Sequence, residues 1–275
     1  MCKVLGVSRS GHDKWRKSKK KKGVNKTRRE QLLKRIQWHF KDSKERYGSP
    51  KITHQLKQEG WTVSERLVGL IMRKNALRSI VSRKYKVITT DSNHDNPIAP
   101  NVLNQNFNTT APNKIWVTDI TYIPCREGRM YLASVMDLYT RKIVGWKLGD
   151  RMTTDLVLDA LNQAYLAKKP AEGLIHHSDR GSQYTSEDYR AKLEEYKMTA
   201  SMSRRGNCYD NASIESYHSI LKKELIYCTR FRTKAIAHKE IYQYLEFFYN
   251  RKRIHGSLGY LSPDRFEDQY YKMAS

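Results

Sequence analysis

Between residues 115 and 148 three apolar, β-branched segments follow one another: Ile115–Pro124, Met130–Leu138 and Ile143–Leu148, separated by Gly128 and by Tyr139–Lys142. Connections of a few residues make antiparallel hairpins, because a parallel pair needs a crossover of about a dozen residues or more. The period then changes. Thr154–Ala167 places Leu156, Leu158, Leu161, Ala164 and Tyr165 at helical spacing. A short strand pattern Leu174–Ser178 follows, then a helix around Glu187–Tyr196, a strand Met198–Met202 and a helix from about Asn211 to Leu225. Three hairpin strands followed by alternating helix and strand predict an α/β fold, a mixed sheet flanked by helices. A last helix, Thr233–Asn250, carries Ile236, Ile241, Tyr244, Leu245 and Phe248 ahead of a short aromatic tail.

The first 110 residues are built differently. They hold 26 of the 52 Lys and Arg residues but only 8 of the 28 Asp and Glu. Such density selects a polyanion, since each cation that neutralises a phosphate releases condensed counterions. No apolar helical face accompanies the run Lys19–Lys22, which argues against a membrane surface. No apolar run approaches the ~18 residues of a membrane span, and the opening residues lack the long apolar core of a secretory signal. Four cysteines far apart in sequence fit a cytosolic chain with free thiols.

Within this basic part, Leu32, Leu33, Ile36 and Phe40 predict an amphipathic helix over Thr27–Glu45. Ser49 is expected to cap a short helix with Pro50 at its first position and Ile52 and Leu56 inside. Ser64 is expected to cap another with Leu67, Leu70 and Ile71 inward and Arg66, Arg73 and Lys74 exposed. Two short helices around a tight turn, the second with a basic face, make a helix-turn-helix pattern. Residues 87–114 then crowd seven Asn and three Pro into a stretch without period, read as a linker or draped arm. The expected organisation is a basic arm 1–26, an all-α helix-turn-helix region 27–86, the linker 87–114, an α/β core 115–232 and a helical extension 233–275.

Three carboxylates stand out. Asp119 sits mid-strand, where Asp is disfavoured, Asp179 ends a strand just where α/β sheets collect ligands, and Glu215 lies on the late helix. Acids that converge need cations, and hard divalent ions take oxygen ligands. There are 35 residues between Asp179 and Glu215, and Lys222 follows seven after Glu215. Glu215, Ser219 and Lys222 share one helical face, so an acid for a metal lies beside a cation for a phosphate. Asp137 and Asp155 are rival acids. His177, two residues before Asp179, is either a metal partner or a packed strand-end histidine. His255 either contacts a partner or pins the tail. Arg204 and Arg205 are candidate phosphate contacts, and Ser182, Gln183 and Tyr184 either line the site or form a plain turn.

The order of elements matches the ribonuclease-H-like fold, and the motifs carry a closer resemblance. They are Trp116-Val117-Thr118-Asp119-Ile120-Thr121-Tyr122, Thr140-Arg141-Lys142-Ile143-Val144-Gly145-Trp146 and His177-Ser178-Asp179-Arg180-Gly181-Ser182-Gln183-Tyr184. Further on come Ser203 to Ala212 running into Glu215-Ser216 and Leu221-Lys222-Lys223-Glu224, then Tyr249 to Tyr260 with Ser262-Pro263. The chain resembles, over nearly its whole length, bacterial insertion-sequence transposases of the OrfB type, relatives of retroviral integrases with a DDE active site. The resemblance implies Asp119, Asp179 and Glu215 as metal-binding catalytic acids for two Mg²⁺ or Mn²⁺ ions, and Lys222 as a contact to terminal DNA. It also implies double-stranded DNA as element end and target, a homo-oligomer on DNA, a cytoplasmic, nucleoid-associated setting, and an upstream-frame partner or frameshift fusion. Relatives often have two tyrosines where this chain has His12-Asp13. With Cys2 the only cysteine near the N-terminus, the zinc module of retroviral integrases is not expected. The implied chemistry is metal-dependent strand cleavage at element ends followed by attack of the freed 3′-hydroxyl. The competing readings are a non-catalytic DNA-binding protein or repressor, and a ribonuclease-H-type nuclease.

Overall fold

The computed structural model describes residues 4–82, 97–205 and 207–274, with the backbone alone for 19–26, 82, 208 and 274, so the side chains of the Lys19–Lys22 run and residues 87–96 of the expected linker lie outside the described residues. The chain divides into two compact units, Met1–Ile80 and Val81–Ser275.

The first unit is three helices: α1 Arg9–Asp42, α2 Ser49–Gln58 and α3 Glu65–Lys74. Leu32, Ile36 and Phe40 of α1 are buried along with Ile52 and Leu56 of α2 and Val68 and Met72 of α3. Glu59, at the end of α2, binds Arg35 through two hydrogen bonds and lies 3.0 Å from His39 Nε2, which ties α2 to α1. Three details differ from expectation. Helix α1 begins at Arg9, far ahead of Thr27, because its early turns are too basic to show an apolar stripe. Helix α2 is capped by Gly48, not Ser49: the first intrahelical bond, Ile52 N–H to Gly48 C=O at 3.1 Å, sets the boundary, and Pro50 has no N–H to lose. Leu70 does not face inward but is 52% exposed, since it lies two residues, about 200°, round the helix from buried Val68. Ser64 does cap α3, accepting the Leu67 N–H at 3.2 Å.

The second unit is built on five strands, β1 Ile115–Cys125, β2 Gly128–Asp137, β3 Ile143–Gly149, β4 Ile175–Ser178 and β5 Thr199–Met202, in the order β3-β2-β1-β4-β5. The hairpin strands pair antiparallel and β1-β4-β5 pair parallel, the mixed sheet that the patterns predict. Helix α4 (Thr154–Lys168) is the crossover between β3 and β4, and the short helix α5 (Ser182–Thr185) with α6 (Glu187–Glu195) is the crossover between β4 and β5. These helices bury Trp116, Val135, Val144, Leu161, Tyr189 and Leu193 in one continuous core. Helix α7 (Ala212–Leu221) packs on β1 and widens into a π-helical turn, Lys222–Ile226. Helix α8 (Lys234–Tyr242) widens likewise over Gln243–Tyr249. The aromatic tail is itself a helix, α9 (Pro263–Ala274), held by Lys142 and Lys168 on Glu267.

The residues before β1 drape over the β5 edge. Ser201 Oγ accepts the N–H groups of Val102 and Leu103, and Met202 N–H donates to Pro100 C=O.

Candidate active site

The register of the central strands places the first two acids. Val117 pairs with His177 across the parallel β1–β4 ladder, and two residues further along each strand direction come Asp119 and Asp179. Side chains two apart share a strand face, so both carboxylates are directed to one side of the sheet. Asp119 is half-buried. Its Oδ1 accepts the Ile120 N–H at 2.7 Å, and its Oδ2 lies 3.2 Å from His218 Nδ1 on α7. Asp179 stands just past β4, where Oδ1 accepts the Gly181 N–H at 2.9 Å and holds the chain in its turn into α5.

Glu215 occupies the first turn of α7, and two contacts seat that helix on β1. Asn211 Nδ2 donates to the Thr118 carbonyl at 3.2 Å, and His218 reaches Asp119. Partial loss of water and the neighbouring Asp119 charge push the Glu215 carboxyl above its ordinary range. Behind the acids, buried Tyr184 places its hydroxyl 3.2 Å from Thr118 Oγ1. Burial, Tyr189 and the charges of Asp119 and Asp179 push the Tyr184 phenol well up, so it keeps its proton.

Among the described residues no three His, Cys, Asp or Glu side chains are gathered tightly enough to grip one ion. Asp119 and Glu215 are electrostatic neighbours, Asp179 and Asp119 both act on Tyr184, and the three do not form a closed cluster. As a donor set they nevertheless suit hard divalent cations: all are carboxylate oxygens, and the mutual repulsion of Asp119 and Glu215 is what a bound cation relieves.

The cations fall into two groups. Lys222, where α7 passes into its π turn, sets Nζ 4.5 Å from the Tyr122 ring centroid. Burial lowers its pKa and the Asp119 charge partly offsets that. Arg204, expected on a phosphate, also pairs with buried Asp210: its backbone N–H and Nε donate to Oδ2 at 2.8 and 3.0 Å, and Nη2 donates to Oδ1 at 2.8 Å, while about half of its side chain stays exposed. Asn101 and Gln105 complete this hub, which ties the loop before α7 to the draped segment. Arg205 is exposed in the same loop. Arg66, Arg73 and Lys74 are exposed on α3 in the first unit.

The rival residues have other work. Asp137 is buried and caps the β2–β3 turn, accepting from Thr140 N–H, Thr140 Oγ1 and Asn113 N–H. Asp155 is exposed in the first turn of α4. His177 is buried between Ser201 and Ser203, at 2.8 and 3.2 Å, so both ring nitrogens are occupied. His255 is buried edge-on to Tyr249 and pairs with Leu261, pinning the tail. Of Ser182, Gln183 and Tyr184, Gln183 donates to Met152 C=O and Tyr184 supports the floor of the site. His218 escaped the sequence reading, although its place three residues after Glu215 and four before Lys222 puts it on their face of the helix.

A five-stranded mixed sheet in the order β3-β2-β1-β4-β5, flanked by helices and with α7 packed on β1, is the ribonuclease-H-like α/β arrangement that the order of elements predicts. The Integrase core domain model matches residues 109–208, a second Integrase core domain model matches 196–263, and the HTH-like domain model matches 27–85. The chain is 42% identical over 275 residues, all of both chains, to the insertion element IS600 uncharacterized 31 kDa protein of Shigella sonnei. It is 38% identical over 269 residues to the transposase InsF for insertion sequence IS3A of Escherichia coli, covering 98% of this chain and 93% of the relative. Among solved structures, the HTLV-2 integrase catalytic core domain in complex with magnesium is similar over 58% of this chain and 99% of that one, at 16% identity and a TM-score of 0.45. The chain belongs to the insertion-sequence transposases with an integrase core domain, DDE-type polynucleotidyl transferases acting in DNA transposition.

Proposed function

We propose that this chain cleaves DNA at the ends of its element and joins the freed 3′-hydroxyls to a second strand, with Asp119, Asp179 and Glu215 as the metal-binding catalytic acids. The observation that carries this reading is the meeting of the β1–β4 register with the docking of α7, which brings the Asp119 charge onto Glu215. The three carboxylates would hold two Mg²⁺ or Mn²⁺ ions. Bound there, such ions lower the pKa of an attacking water and stabilise the entering and leaving oxygens of an in-line displacement.

The protein groups orient the DNA. Lys222, held against Tyr122, takes a phosphate beside the acids, and Arg205 with the outer edge of Arg204 takes another on the loop before α7. Arg66, Arg73 and Lys74 hold the duplex of the element end in the helix-turn-helix region 27–86, while residues 115–232 carry the chemistry and 233–275 brace it. Tyr184 is pinned on Thr118 with its proton retained, which suits a support beneath the acids, and no tyrosine or serine nucleophile is proposed. Joining two ends calls for at least two copies of the chain on DNA, in the cytoplasm where the nucleoid lies. A product of the upstream reading frame, fused or supplied separately, is the further partner.

The experiment is strand transfer with end-containing DNA and Mg²⁺. Asp119→Asn, Asp179→Asn and Glu215→Gln are each expected to reduce transfer to background while end binding persists. Normal transfer by any one of them would remove that acid from the assignment.

A further inference from the structure

We infer that His218 positions the Asp119 carboxylate and sets the spacing between Asp119 and Glu215. The inference rests on the reading of Asp119 as a metal-binding acid. His218 is buried on α7, one turn after Glu215, and its Nδ1 lies 3.2 Å from Asp119 Oδ2. Nδ1 is within ion-pair reach of that oxygen while the Ile120 N–H donates to Oδ1 at 2.7 Å, so a proton carried on Nδ1 would leave each carboxylate oxygen anchored through one lone pair. The second lone pair on each oxygen stays open to a cation, so the group is oriented without being used up.

The same contact joins two elements. Glu215 and His218 ride on one helix, so the His218 contact to Asp119 on β1 holds the Glu215 backbone at a set distance from Asp119. Asn211 gives a second hold one turn earlier, to the backbone of Thr118. His218 Nε2, in contrast, is buried and has no hydrogen-bond partner. An unpaired buried nitrogen is costly, and a leucine or phenylalanine would fill the space without that cost. What an apolar side chain cannot supply is the donor at Nδ1. Outer-sphere donors of this kind orient metal-binding groups and tune their affinity.

The test uses the full chain, free of metal and DNA, titrated with Mn²⁺ and followed by electron paramagnetic resonance. End-DNA binding in chelator and circular dichroism are measured alongside. The asparagine amide in His218→Asn places a donor near the former Nδ1, whereas the longer glutamine in His218→Gln reaches toward Nε2. Mn²⁺ binding by the wild type is expected to be lost in Asp119→Asn and kept within about threefold in His218→Asn. In His218→Gln and His218→Ala it is expected to weaken roughly tenfold or more. End-DNA binding and folded signal stay unchanged throughout. Wild-type Mn²⁺ binding by the Gln and Ala variants would overturn the positioning role and leave the acid assignment intact. Equal impairment of the Asn and Ala variants would also overturn it, since packing alone would then explain the loss. Wild-type Mn²⁺ uptake that ignores Asp119→Asn would bring down the acid assignment and this inference together.

Discussion

The Lys222 ammonium stands 4.5 Å from the centroid of the Tyr122 ring, on the strand that carries Asp119. A cation over an aromatic face gains about 0.5–2 kcal/mol, more as water is excluded, and here it keeps the charge beside the acids. Lys222→Ala is expected to weaken binding of element-end DNA and to reduce the slope of log affinity against log salt by about 1, the signature of one lost phosphate contact. Tyr122→Leu keeps the charge but frees the side chain, so its affinity should fall between the two with an unchanged slope. Fluorescence titrations across a salt series read both quantities. A wild-type slope in Lys222→Ala would mean that Lys222 meets no phosphate.

Two residues beyond Lys222 the chain buries a charge. Glu224 accepts from Arg253 Nε at 3.0 Å, from Arg253 Nη2 at 2.9 Å and from the Tyr244 hydroxyl at 2.8 Å. Removing one member of such a buried pair leaves the other uncompensated, at a cost of about 3–5 kcal/mol. Arg253→Ala and Glu224→Ala are each expected to destabilise the integrase-core unit by that amount. The double variant should lose clearly less than the sum, because neither charge is then left alone. Urea unfolding of the four proteins gives the coupling, and strict additivity would show that the pair does not act as a unit.

That pair also marks where the sequence stopped being readable. Apolar, β-branched runs and Gly128 outline β1 and β2, and an Asp in the middle of Trp116–Tyr122 is conspicuous because a strand has no cheap place for it. Glu224 looks like any solvated helical charge until Arg253, 29 residues on, is folded against it, and the π turn at Lys222–Ile226 has no local signature at all. Leu70 misled for a related reason: α3 has apolar residues at 67, 68, 70, 71 and 72, so more than one face could have been the buried one. His218 was hidden by composition, a histidine among polar neighbours, although its spacing from Glu215 was in plain view. The pairing of Arg204 with Asp210, six residues away, was hidden because Asp210 shows its burial only in three dimensions.

Acid should weaken this core through two strand histidines. His177 is buried, its ring between Ser201 and Ser203, and burial lowers its pKa from 6.5 to about 4; adjacent His176 is lowered to about 3 by burial and by His177. The unfolded chain accepts these protons from about pH 6.5 downward while the folded chain refuses them. Their contribution to stability is therefore whole above pH 6.5 and is lost as pH falls toward 4 and then 3. Each histidine adds up to about 1.4 kcal/mol per pH unit within its window. Melting temperatures between pH 7.5 and 4.5 are expected to fall steadily, and His177→Gln, which cannot take up the proton, should flatten the decline. An equal decline in His177→Gln would assign the acid sensitivity elsewhere.

Gly145, in the middle of β3, lies hard against α4. A Cβ at this position would stand 2.2 Å from the Ala160 carbonyl oxygen, 2.7 Å from Ala164 Cβ and 2.8 Å from Ala164 N. Two of these atoms are helix backbone, so no side chain can swing aside to make room. Accommodation requires α4 to move off the strand, opening the packing of Val144 and Trp116 against Leu161 and Ala164. Overpacking of a dense core costs about 1–3 kcal/mol, and Gly145→Ala is expected at the upper end or beyond. Ala164→Gly in the same chain removes the 2.7 Å approach but leaves the Ala160 oxygen where it is. The double variant should thus stay as unstable as Gly145→Ala in urea unfolding, and recovery of wild-type stability would show that α4 can slide on β3 at little cost.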